Sequence, residues 1–200
     1  MNEHDTGLRS RLIAVGVDLV TREGTQGLSL REIARRAGIS HGAPRRYFPT
    51  HLALLSAIAR EGFADLNARI GEVVDDDRVA PRARLMELGR RYLDFALSNR
   101  GMYELMFRHD LLESNHLGLR ETSLPLFRLL VDLVAQARAG ADADADGAPA
   151  LSVVAGALWS NLHGIAQLWG WGSLQLAVGA DEIEPLLRAA LDAHLGPEAR

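Results

Sequence analysis

Residues Ser29 to His51 read SLREIARRAGISHGAPRRYFPTH, and their spacing is that of two short helices joined by a tight corner. Ser29 stands three residues before Glu32, the capping-box spacing in which the hydroxyl accepts a backbone N–H and the carboxylate reaches back to the cap. Leu30, Ile33, Ala34 and Ala37 then recur at helical period on one face, with Arg31, Arg35 and Arg36 on the other. Gly38 can take the positive φ that stops a helix, Ile39 is placed to plug the corner, and Ser40 can cap a second helix. That helix opens on Ser40, His41, Gly42 and Ala43, small enough for its N-terminal end to lie close to a groove floor, with Arg45 and Arg46 as adjacent charge. The pattern predicts a helix-turn-helix that binds DNA. An ordinary corner between two helices shares the glycine and the apolar spacing, but it has no need of so short and polar a second helix or of the arginine cluster.

Charge is distributed as that reading requires. The chain carries a net −4 over 200 residues, yet residues 1–60 hold nine Arg against five acidic residues, or +4, and residues 61–200 carry −8. A basic N-terminal part on an acidic body is the footprint of a DNA-reading domain joined to something that does not touch DNA. There is no cysteine, so disulfides and thiolate metal sites are excluded, which suits a reducing cytoplasm. No basic stretch followed by an apolar segment opens the chain, so no secretory signal is expected.

Around the central stretch, helical periodicity covers most of the sequence. Leu8, Leu12, Val15 and Leu19, flanked by Ile13 and Val20, predict a first helix ending before Gly24, with Leu28 tucked into the core behind it. A long amphipathic helix is expected from His51 to Val74, ended by the solvated run Asp75, Asp76 and Asp77. Pro81 opens another, with Leu85, Leu88, Tyr92, Phe95 and Ala96 inward, and a short helix through Met102 to Phe107 follows. Leu119 to Arg138 is amphipathic with Pro125 as a kink or late start, and residues 141–150 form an acidic linker of low complexity.

Leu151 to Trp171 is apolar nearly all round. Its central Ser160, Asn161, His163 and Gln167 argue against a membrane span and for a helix covered on both sides, by its own body and by a second subunit. Ile183 to Leu195 would complete a four-helix dimer interface with it. The expected fold is therefore all-α, about nine helices, with a DNA-binding domain at residues 1–50 and a ligand-binding and dimerisation domain at 51–200.

With Tyr47, Phe48, Pro49, Thr50 and His51 and the apolar run after them, the chain resembles the TetR family of bacterial transcriptional regulators, well over about residues 8–60 and in outline beyond. Relatives usually carry an aromatic residue two before a His or Tyr, then Phe, then Lys three further on; here Arg45 replaces the first aromatic and His51 the Lys. The resemblance implies DNA contacts at Ser29, Arg31, Ser40, His41, Gly42, Ala43, Arg45, Arg46, Tyr47 and His51. Leu162, His163 and Gly164 are similar to the Trp-His-Gly signature of the WHG-type body, with Leu162 in place of Trp. That likeness implies a cavity for a small, largely apolar effector, lined by Tyr92, Phe95, Met102, Tyr103, Met106, Phe107, Phe127, Trp159, His163 and Gln167.

The function expected is a cytoplasmic, homodimeric repressor that leaves an inverted-repeat, double-stranded operator when its effector binds, with no cofactor and no membrane partner. No nucleophile, paired acid and base or phosphate-cradling glycine loop points to an enzyme. The alternative is a helical enzyme or metal-binding bundle centred on His109, Glu113, His116 and His163, since Glu113 and His116 have the Glu-x-x-His spacing of di-iron bundles; no second copy of that motif is present.

Overall fold

The computed structural model describes residues 3–74, 76–108, 119–139 and 149–197. The described residues form nine α-helices: α1 (Glu3–Glu23), α2 (Leu30–Arg36), α3 (His51–Val74), α4 (Pro81–Ser98), α5 (Arg100–Met106), α6 (Leu119–Arg138), α7 (Leu151–Gly170), α8 (Ser173–Val178) and α9 (Glu184–Leu195). Helix starts and stops follow the local chemistry closely. Thr50 Oγ1 accepts the Ala53 amide at 3.0 Å and caps α3, Pro81 sits at the start of α4, where a missing N–H is harmless, and Gly196 (φ 78°) follows α9. The run of residues 141–148, and His109, Glu113 and His116 of the metal alternative, lie outside the described residues. Among the described residues no group of three or more His, Cys, Asp or Glu could hold a metal, and no helix is long and apolar enough to cross a membrane.

The chain divides into two compact units. The first holds residues 3–65 with 99–108 and 119–123; the second holds 66–98 with 124–139 and 149–197, the residue at 75 aside. α3 runs through both units, α6 contributes to both, and α5 joins the N-terminal one. In that unit Leu12, Ile13, Leu19 and Val20 of α1, Ile33 and Ala34 of α2, and Leu54, Leu55, Ile58 and Phe63 of α3 form the core, closed by Leu28 and Phe48. α5 packs Met102 and Met106 against Gly62 of α3, and Phe107 makes edge contacts with Phe63 (5.7 Å) and Tyr103 (5.0 Å).

The C-terminal unit packs α4 against α7 and α9, with Leu85, Leu88 and Leu93 of α4, Val154, Leu158 and Leu162 of α7, and Leu187 and Leu191 of α9 buried. Arg84 is a buried cation there. Its Nε donates to the Val74 carbonyl at the end of α3 (2.7 Å), and its Nη1 reaches Gln136 Oε1 and Asp77 Oδ1, each at 3.2 Å. A guanidinium on the last carbonyl of a helix answers both an orphan acceptor and the negative end of the helix dipole.

Candidate nucleic-acid interface and effector site

At the start of α2, Ser29 is extended and its Oγ accepts the Glu32 amide at 3.2 Å. Half of the capping box is thus present. The Glu32 carboxylate does not return to the cap; it turns forward to accept from Arg35 Nε (2.8 Å) and Nη2 (2.5 Å) and from Arg36 Nε (2.8 Å), while Arg36 Nη2 also donates to Glu23 of α1. Two guanidinium forks offer a charged acceptor more than one neutral amide does. Hydrogen bonds from Arg35 and then Arg36 hold the Glu32 carboxyl down to about 2. Because that value lies below the ordinary 4.5, the stability it contributes is complete above pH 4.5 and is lost as pH falls through about 2.

The corner itself is a Schellman turn. Gly38 (φ 66°) donates to the Arg35 carbonyl at 3.1 Å, and Ile39 donates to that of Ala34 at 3.1 Å. Arg11 of α1 donates to the Ala37 carbonyl, fixing the corner to the first helix. Ile39 is half-buried, short of the buried plug that its position suggests.

Beyond the corner the structure corrects the expected second helix. Residues 41–42 are a turn, and Ala43–Arg46 form a 3-10 helix capped by Gly42, with Ser40 outside it. The physical reason lies in two prolines. Pro44 has no amide to bond the Ser40 carbonyl, which Ala43 N takes instead (3.0 Å), and Pro49 disfavours α conformation at Phe48, leaving too few residues for successive i to i−4 bonds. One such bond does form, from Phe48 N to the Pro44 carbonyl (2.9 Å), shared with Tyr47 N (3.0 Å). Phe48 is buried beneath this segment with the Arg9 guanidinium 5.4 Å from its ring centre.

The outcome for the expected contacts is a cluster of unequal members. Ser40, His41, Gly42, Arg45 and Arg46 are exposed, as is Arg31 on α2, and Arg31, Arg45 and Arg46 make no ion pair among the described residues. Ala43 and Tyr47 are half-buried, and Ser29 is occupied as a cap. His51 has its Nε2 3.1 Å from the Leu28 carbonyl. A carbonyl can only accept, so that nitrogen carries a proton and ties the start of α3 to the connector before α2. Part of the Glu23, Glu32, Arg35 and Arg36 network has a signal in the sequence, an acid followed at i+3 and i+4 by arginine.

The expected effector residues fall into both compact units. Met102, Tyr103, Met106 and Phe107 lie in the N-terminal unit, whereas Tyr92, Phe95, Phe127, Trp159, His163 and Gln167 lie in the other. Within the second group Tyr92 is nearly fully buried; its hydroxyl accepts from Trp159 Nε1 at 3.2 Å and shares a hydrogen bond with His163 Nδ1 at 3.0 Å. Trp159 packs edge-on to Phe127 and to His163, both at 6.2 Å. Phe95 is buried with Arg69 over its ring at 5.4 Å. The half-buried Gln167 has a backbone carbonyl that accepts from Trp171 N. Asn161, although on the same helix as His163, is exposed and meets His194 of α9 at 2.9 Å.

An all-helical chain with a capped, glycine-cornered basic motif near its N-terminus and a larger acidic helical part defines a helix-turn-helix regulator. Comparison with known proteins places it more narrowly. Residues 12–58 match the family described as bacterial regulatory proteins, tetR family, and residues 85–194 match the Tetracyclin repressor-like, C-terminal domain. The chain belongs to the TetR family. A structure of a protein with unknown function from Rhodococcus sp. RHA1 is 33% identical, with TM-score 0.77, over 94% of this chain and 93% of that one. The HTH-type transcriptional regulator BetI of Ectopseudomonas mendocina (strain ymp) is 38% identical over 80 residues, 38% of this chain and 40% of BetI, so the match spans about two fifths of that relative. AibR, solved with isovaleryl coenzyme A and operator DNA, has the same fold at 16% identity and TM-score 0.66, over 96% of this chain and all of that one.

Proposed function

We propose that this chain is a homodimeric, cytoplasmic transcriptional repressor that binds an inverted-repeat operator and leaves it when a small, largely apolar effector binds. The observation that supports DNA contact most is the group of exposed Arg31, Arg45, Arg46 and His41 around a hydrogen-bonded Schellman corner. Arg45 and Arg46 stand at the end of the 3-10 segment, where guanidinium groups can reach phosphates on either side of a groove. His41 and Gly42, on the turn, are the groups placed for base edges. A two-fold dimer would read half-sites about one helical turn apart or slightly more.

Arg46→Ala is expected to weaken binding to all sequences and to flatten the plot of log affinity against log salt by about 0.9 for the lost phosphate contact. His41→Ala is expected to change preference at particular base pairs. Titrations on an operator recovered from genomic DNA and on scrambled duplexes at several salt concentrations test both. Equal losses on every sequence for His41→Ala would show that it reads no base.

The effector is proposed to bind in the C-terminal unit near Tyr92, Phe127, Trp159, His163 and Gln167, since a mostly apolar lining with a few placed polar groups is what such sites offer. The hydrogen-bonded set of Tyr92, Trp159 and His163 supports this choice. All three tryptophans lie in or next to α7, so effector binding should change their fluorescence and weaken operator binding over one concentration range. His163→Ala should shift both curves together. The coupling is wrong if every compound that alters the fluorescence leaves operator affinity unchanged.

A further inference from the structure

Resting on the DNA-binding reading, the inference concerns the arginines of α2 and the carboxylate that holds them. Arg31 and Arg35 are four residues apart and so lie on one helical stripe. Arg31 is exposed with no ion pair among the described residues; Arg35, one turn on, keeps 63% of its side chain exposed while its Nε and Nη2 both grip Glu32. Arg36 differs. Its side chain is 28% exposed, sits between Glu32 and Glu23, and joins α1 to α2, so its part is to hold the Glu32 carboxylate in place.

A carboxylate held by a guanidinium fork has the planar, two-oxygen geometry that a phosphate presents to the same fork. An exposed pair of this kind is weak, because water screens it and two side chains are ordered to make it. A DNA phosphate adds the release of condensed counterions, which a protein carboxylate does not. We propose that Glu32 is an internal stand-in for a backbone phosphate: it holds Arg35 closed in the free protein, and Arg35 exchanges it for a phosphate when DNA docks. Glu32 thereby lowers affinity for all DNA without touching the base preference.

The test is a double-mutant cycle on the full-length protein, with Glu32→Gln, Arg35→Gln and both together, titrated on operator and scrambled duplexes across salt. Glu32→Gln should tighten binding to both duplexes on the order of two- to fivefold, the size of one exposed ion pair. Arg35→Gln should weaken both and reduce the salt slope by about 0.9. In the Arg35→Gln background the Glu32→Gln gain should vanish, whereas a general effect of removing one negative charge would persist. Asp18→Asn, at an exposed ion pair with Arg22 on α1, should leave binding unchanged, and thermal melts should show that every variant is folded. An unaltered slope in Arg35→Gln, or an equal Glu32→Gln gain in both backgrounds, overturns the exchange while leaving DNA binding intact. Failure of the unaltered protein to bind any duplex overturns both.

Discussion

Gly101→Ala should destabilise the protein by about 3 kcal/mol, the upper part of the range for forcing atoms into a filled site. Helix propensity alone predicts the opposite sign, since alanine inside a helix is favoured over glycine by up to about 1 kcal/mol. Packing decides. A Cβ at Gly101 would fall inside the contact radius of the Val20 carbonyl oxygen and 3.0 Å from Gly24 Cα. Both neighbours are backbone, at the end of α1 where the Gly24 amide bonds to that same carbonyl at 3.0 Å, so neither can rotate away. The close approach seats α5 in the N-terminal unit, beside the Met102 and Met106 contact with Gly62. Urea denaturation with an unchanged slope and a lower midpoint is the expected result. An alanine variant as stable as the parent would mean that α5 does not rest on α1 in this way.

That contact also marks where sequence legibility ended. Ser29 as a cap and Gly38 as the stop were legible because each bonds within three residues of itself. The limits of α3 and α6 were legible for the same reason, through unbroken 3.6-residue periodicity. The segment after Ser40 departs from the helix that its corner implies because Pro44 and Pro49 restrict it. The placing of α5 was beyond local reading, since periodicity tells which face turns inward but not which helix receives it. Met102, Tyr103, Met106 and Phe107, expected as cavity lining, lie in the unit that carries the helix-turn-helix. The bond from Tyr92 to His163 spans 71 positions and left no mark in the pattern.

Ala157→Arg should convert the proposed dimer to monomer and lower operator affinity on the order of a hundredfold, because a chain holding one half-site loses the effective concentration that its twin supplies. The motivation is the outer face of α7. Val153, Ala157, Asn161, Leu168 and Trp171 are exposed at spacings of three, four or seven residues, Val153 and Trp171 each at 61%. Leu176 and Val178 of α8 add apolar exposure, Leu176 at 89%. Apolar surface of this extent is what a partner surface covers. Along α7, Cβ atoms built at Gly156 and Gly164 would meet nothing within 4 Å, so these positions are empty in the single chain and free to admit a closely approaching helix. Two substitutions therefore separate the alternatives. If no second chain covers this face, Gly164→Ala should stabilise by up to about 1 kcal/mol through helix propensity, and Ala157→Arg, being exposed, should change stability by no more than about 0.5 kcal/mol. If a second copy packs here, Gly164→Ala should weaken the dimer through its added Cβ, and Ala157→Arg should break it by burying an unpaired charge. Sedimentation at micromolar concentration, read beside operator titrations, distinguishes the two. A variant Ala157→Arg that stays dimeric and binds operator as the parent does would place the interface on another face.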